Sequence, residues 1–129
     1  MPNQIALFGE AGGGSYATLL HFTNLTSLAE TLGNPPDDTR GIPIAVQTLL
    51  FQYEILYIRV REEGFSKPDY LLGLRLLRDY KPKLSAICIP GVGDQELIRE
   101  TCHLCKERKS LLITSERDFY DFLTDRDCA

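Results

Sequence analysis

The chain has no tryptophan, one methionine, two histidines and four cysteines in 129 residues. Two histidines leave little for nucleophilic catalysis, because a serine or cysteine nucleophile needs a base beside it and only His21 and His103 are present. No G-x-S-x-G elbow occurs. Cys88, Cys102, Cys105 and Cys128 are too sparse for a disulfide framework, so a reducing cytoplasm is the expected compartment. Cys102-His103-Leu104-Cys105 is a C-x-x-C without a second one. A closed zinc site needs four ligands, so core cysteines beside a surface histidine are expected, with no bound zinc. A redox pair belongs at a helix N-terminus, and this pair lies inside a predicted helix. No apolar run approaches the roughly 20 residues that span a bilayer. The first residues lack the basic and apolar regions of a signal peptide. A basic surplus is missing too. Fourteen Lys and Arg stand against 18 Asp and Glu, and the net charge of −4 points away from nucleic acid and membrane as partners.

What is present is an ordinary globular composition, 43% apolar and 25% charged, in a length that suits one domain over residues 1–129. Leu84 to Ile89 is a short apolar run suited to a strand buried on both faces. Pro90 and Gly91 end it, and Asp94 is placed to cap a helix. On that helix Leu97, Ile98, Thr101, Leu104 and Cys105 recur at helical spacing, and the basic run Lys106 to Lys109 meets the negative end of its dipole. Leu111 to Ile113 follows as a second strand, completing a parallel strand–helix–strand unit.

The rest of the chain alternates in the same way. Gln4 to Phe8 reads as a first strand, and Ala17 to Phe22 has strand-like content that suits antiparallel pairing at an edge. Asn24 caps a helix over Leu25 to Leu32, stopped by Gly33 and Pro35-Pro36. Asp37 to Gly41 is polar loop. Pro43 opens a buried helix through Gln52. Glu54 to Arg61 is a strand with Tyr57, Arg59 and Arg61 on one face and Leu56, Ile58 and Val60 on the other. Ser66 and Pro68 start a helix through Tyr80 whose Leu71, Leu72, Leu74, Leu76 and Leu77 form a wide apolar face. Ser115 and Asp118 have capping-box-like spacing for a last helix through Leu123, with Phe119, Phe122 and Leu123 inward. Residues 125–129 read as a frayed tail. The expected fold is a single three-layer α/β/α domain with a mostly parallel sheet of four to five strands.

Two places could take an anion. In the Gly9 to Ser15 loop, Gly9 and Gly14 have Walker-A spacing, but Ser15 and Tyr16 stand where lysine and Ser/Thr are needed. Gly12, Gly14 and Ala17 fit a relaxed dinucleotide pattern that lacks the immediate helix it requires. The Pro90 to Asp94 turn, with Gly91, Gly93 and Asp94, lies at a strand end where a helix begins. Any strand-to-helix turn in an α/β fold has that form. Neither ATP nor NAD is expected to bind, no cofactor is expected, and no catalytic residue stands out.

Four stretches together resemble the core domain of contractile tail sheath proteins, from phages and related injection machines. Ile5 to Ala11 followed by glycines is similar to the family's first strand and small-residue loop. Phe22-Thr23 through Leu32-Gly33 is similar to its Thr/Ser-led helix ending in a hydrophobic-Gly pair. Ile44 to Arg61 resembles its helix and valine-arginine strand, and Leu84 to Thr114 its strand, helix and strand. The resemblance implies a non-enzymatic structural or protein-interaction domain that packs against protein subunits, itself or others. It implies no catalytic residues. Sheath subunits associate through terminal arms that add strands to neighbouring sheets, and the residues here match the core alone. A monomer or small oligomer joined through side-chain surfaces is therefore expected rather than a tube. The edge near Leu19 and the helix carrying Tyr120 are the expected surfaces.

Overall fold

The computed structural model describes residues 4–33, 41–62 and 64–124. Apolar area is buried here by one hydrogen-bonded sheet covered on both sides. The elements run β1 (Gln4–Gly9), β2 (Leu20–Phe22), α1 (Leu25–Leu32), α2 (Gly41–Leu50), β3 (Glu54–Arg59), α3 (Lys67–Asp79), β4 (Ala86–Cys88), α4 (Gln95–Arg108), β5 (Leu111–Ile113) and α5 (Glu116–Thr124). The sheet order is β2-β3-β1-β4-β5. Strands β3, β1, β4 and β5 are parallel, and β2 pairs antiparallel with β3 at the edge. The chain thus fills one side of β1 first and then crosses to fill the other.

The alternation of side chains along each strand divides the core in two. Ile5, Leu7, Ile55 and Tyr57 pack with Leu28, Leu32, Ile44 and Phe119, under α1, α2 and α5. Ala6, Phe8, Leu56 and Ile58 pack with Tyr70, Leu74, Leu97 and Leu104, under α3 and α4. Helices cover both faces of a mostly parallel sheet, which is why the strand runs are continuously apolar.

Local capping follows the sequence closely. Asn24 accepts from the Ser27 N–H at 2.9 Å, and Gly33, with φ +63°, ends α1. Asp94 accepts from Leu97 N–H at 3.1 Å, and Ser115 Oγ accepts from Asp118 N–H at 3.1 Å. Ser66 differs. It precedes α3 in a helical conformation and its side chain makes no cap. Helix α2 begins at Gly41, two residues before Pro43, which still falls in the first turn where its missing N–H costs nothing.

The predicted Leu84–Ile89 and Glu54–Arg61 runs shorten to β4 and β3, although Leu84, Ile89 and Val60 are all buried. The five-leucine face of α3 is also narrower than expected. Leu74 and Leu77 are buried while Leu72 and Leu76 are 47% and 42% exposed. Residues two apart on a helix diverge by about 200°, so Leu72 and Leu74 cannot share one sheet. Residues 35–40, the tail 125–129 with Cys128, and the side chain of Leu123 lie outside the described residues. Among the described residues, no helix is long and apolar enough to cross a membrane.

Candidate functional site

In an open parallel sheet the place to look is the carboxyl edge where the strand order reverses. Here that point lies between β1 and β4. A cleft of about 630 Å³ opens there, within the range of small-molecule sites. Its floor is the end of β1, Phe8 to Glu10, with Gly41 from the start of α2. One wall is Arg61, Ser66, Lys67 and Tyr70, and the other is the turn from Pro90 to Asp94 with Leu97.

The floor is built by close backbone contact. A side chain on Gly41 would meet the Tyr57 hydroxyl, and its Cβ would lie 2.9 Å from the Gly9 Cα. Tyr57 is fully buried and donates its hydroxyl to the Glu10 carbonyl at 2.7 Å. Burial pushes the Tyr57 pKa well above the usual phenolic range, so this group stays a neutral donor. Phe8 stacks on Tyr70, with ring centroids 5.0 Å apart and planes 19° off parallel.

The charged walls pair among themselves. The carboxylate of Asp69, 2% exposed, accepts from the Arg61 backbone N–H at 2.9 Å and from its guanidinium at 2.6 Å. Lys67 Nζ lies 3.2 Å from Asp94 and 2.8 Å from Glu96, joining the first turns of α3 and α4. These bonds raise the Lys67 pKa, through Glu96 first and then Asp94. The Leu97 N–H, and then Lys67, lower that of Asp94. A depressed carboxylate pKa contributes stability above its unfolded value. That contribution fades as pH falls through the folded pKa.

The two predicted anion places separate. Gly91, Gly93 and Asp94 line the cleft, whereas Gly12 and Gly14 are not among its lining residues. In the turn, Gly91 N–H already bonds the Thr114 carbonyl at 3.0 Å and Val92 N–H the Ile89 carbonyl at 3.3 Å. The glycine loop turns the other way, onto the C-terminal end of α1. Gly12 N–H bonds the Leu32 carbonyl at 2.8 Å, and a Cβ on Gly13 would lie 2.7 Å from the Thr31 carbonyl oxygen. Gly14 accepts from Arg59 at 2.6 Å. A helix C-terminus is the negative end of the dipole, the opposite of what a phosphate requires. Beside this loop, the Arg59 and Arg61 guanidinium carbons sit 4.1 and 4.4 Å from the Tyr16 ring centre.

Elsewhere, Cys105 is buried and Cys102 half-buried on α4, with Cys88 buried in β4. Burial pushes the Cys88 and Cys105 thiols up to about 12, far from a reactive thiolate. Among the described residues, no group of three or more His, Cys, Asp or Glu is placed to hold a metal ion. His21 on β2 lies 2.7 Å from Glu54, remote from the cleft at the amino-terminal end of β3. Sequence reasoning missed Gly41, Lys67 and Arg61 as cleft residues, because the start of α2 and the β3–α3 connection meet only in the fold. No protein-family model matches this chain, no curated protein matches it, and no solved structure does.

Proposed function

We propose that this chain is a non-enzymatic structural and protein-interaction domain, a subunit or accessory of a phage-tail-like or related assembly. The observation that supports this best is that the cleft's polar groups already serve the scaffold. Lys67 is taken by Asp94 and Glu96, Arg61 by Asp69, and the N–H groups of Gly91, Val92 and Leu97 by internal acceptors. A ligand would have to break these bonds before making its own. The resemblance of the four segments to a tail sheath core supplies the kind of assembly.

A second reading, a small nucleotide- or anion-binding protein, is favoured by the position of the cleft at the strand-order reversal. Thermal melts with ATP, NAD and inorganic phosphate separate the two. A ligand at about a hundred times its dissociation constant adds roughly 2.7 kcal/mol, a shift easily read in a melt. The interaction reading predicts unchanged melting temperatures with all three. A clear rise with any one of them overturns it in favour of the second.

A further inference from the structure

The two ends of the strands differ in charge. At the amino-terminal end, residues 78–83 and 106–109 hold six basic side chains (Arg78, Lys81, Lys83, Lys106, Arg108, Lys109) against two acidic ones, Asp79 and Glu107. They form one surface because the α3–β4 loop is stitched to the end of α4. The Arg108 guanidinium donates to the Tyr80 and Pro82 carbonyls, and Ser110 Oγ to the Leu84 carbonyl at 2.7 Å. Ser85 N–H bonds the Gln4 carbonyl, which fixes this loop at the start of β1. Lys81, Lys83, Lys106 and Lys109 are exposed, and none enters a salt bridge among the described residues.

At the carboxyl end, Asp94 and Arg61 line the cleft, and the exposed Glu62 and Glu96 lie beside them in the chain, between lining residues Arg61 and Gly64 and between Asp94 and Leu97. Arg61 is matched by Asp69 and Lys67 is shared by Asp94 and Glu96, so with Glu62 these groups keep an excess of negative charge. Helix dipoles account for acid at the start of α4 and base at its end. They do not account for Lys81, Lys83 and Glu62, which lie in loops.

We propose that copies of this chain stack head to tail, the lysine-bearing end of one on the acidic cleft rim of the next. The faces lie at opposite ends of the same strands, so the contact is heterologous and leaves both ends of a pair open to further copies. Complementary potentials of this kind set orientation and speed encounter. The inference rests on the protein-interaction reading, which has its own test in the nucleotide melts, so the stacking can fail while that reading stands.

Sedimentation velocity of the whole chain tests it, at about 0.02 M salt and at about 1 M, where the screening length falls to roughly 3 Å. The average mass is expected to rise with concentration at low salt and return to a single chain at high salt. Lys81→Glu with Lys83→Glu, and separately Glu62→Lys with Glu96→Lys, should each hold the protein at single-chain mass. Mixing the two doubly substituted proteins should restore association, since each then meets an opposite charge. Association indifferent to salt and to both reversals overturns the proposal, as does a mixture that stays unassociated. A wild-type protein that remains single while its lysine end binds heparin would also overturn it, assigning that end to a polyanion.

Discussion

Replacing Phe8 by alanine is expected to cost about 3–5 kcal/mol of folding stability, the usual range for deleting a buried aromatic side chain. Phe8 is fully buried on β1, the central strand, and its ring lies between Tyr70 and Gly73 of α3. Its removal leaves a cavity that α3 cannot fill from outside. A side chain grown on Gly73 would need that same space, since its Cβ lies 2.5 Å from Phe8 and 2.9 Å from Ile58. For a chain of this size the loss corresponds to a fall of roughly 10–20 °C in melting temperature. Leu72→Ala, on the exposed side of the same helix, is the control and should stay within about 0.5 kcal/mol. A Phe8→Ala cost below about 1 kcal/mol would contradict the packing described.

Gly41→Ala carries the second largest effect and the sign is informative. In an open helix alanine is favoured over glycine by about 1 kcal/mol. Here the added methyl would strike the Tyr57 hydroxyl and press on the Gly9 backbone, so a destabilisation of about 2–4 kcal/mol is expected from overpacking and the disturbed hydrogen bond. Tyr57→Phe alone should cost about 1 kcal/mol through the lost bond to the Glu10 carbonyl. In the double variant the missing hydroxyl relieves part of the clash. The penalties should therefore sum to less than their separate total, a coupling read from denaturant unfolding of all four proteins. A stabilising Gly41→Ala would place α2 away from the cleft floor.

These residues also mark where the sequence was legible. The strand cores around Ile5, Ile58, Ile87 and Leu112 stand out because strands under helices on both faces must be apolar throughout. Caps such as Asn24, Asp94 and Ser115 are local, fixed by three or four residues, and they are where the pattern places them. An apolar run reports burial rather than ladder pairing. Leu84 and Ile89 are therefore buried beyond the ends of β4, while Leu111, 51% exposed on the edge strand β5, is apolar without being buried.

The cleft was only half legible. The Pro90–Asp94 turn announces itself, but the approach of Gly41 to Gly9 joins residues 32 positions apart in sequence and depends on the crossing of α2 over β1. The glycine run drew attention as a phosphate loop, yet Gly13 is kept small by the Thr31 carbonyl and Gly14 by its φ of +90°. Spacing alone does not say which backbone a glycine must approach.

That this chain acts by contact with further copies of itself is the central claim, and solution mass tests it most directly. Sedimentation equilibrium of the purified chain, across a concentration series at low ionic strength, should give an average mass that climbs from one chain toward a few. A single-chain mass at every concentration, or regular tubes of many subunits, would contradict it.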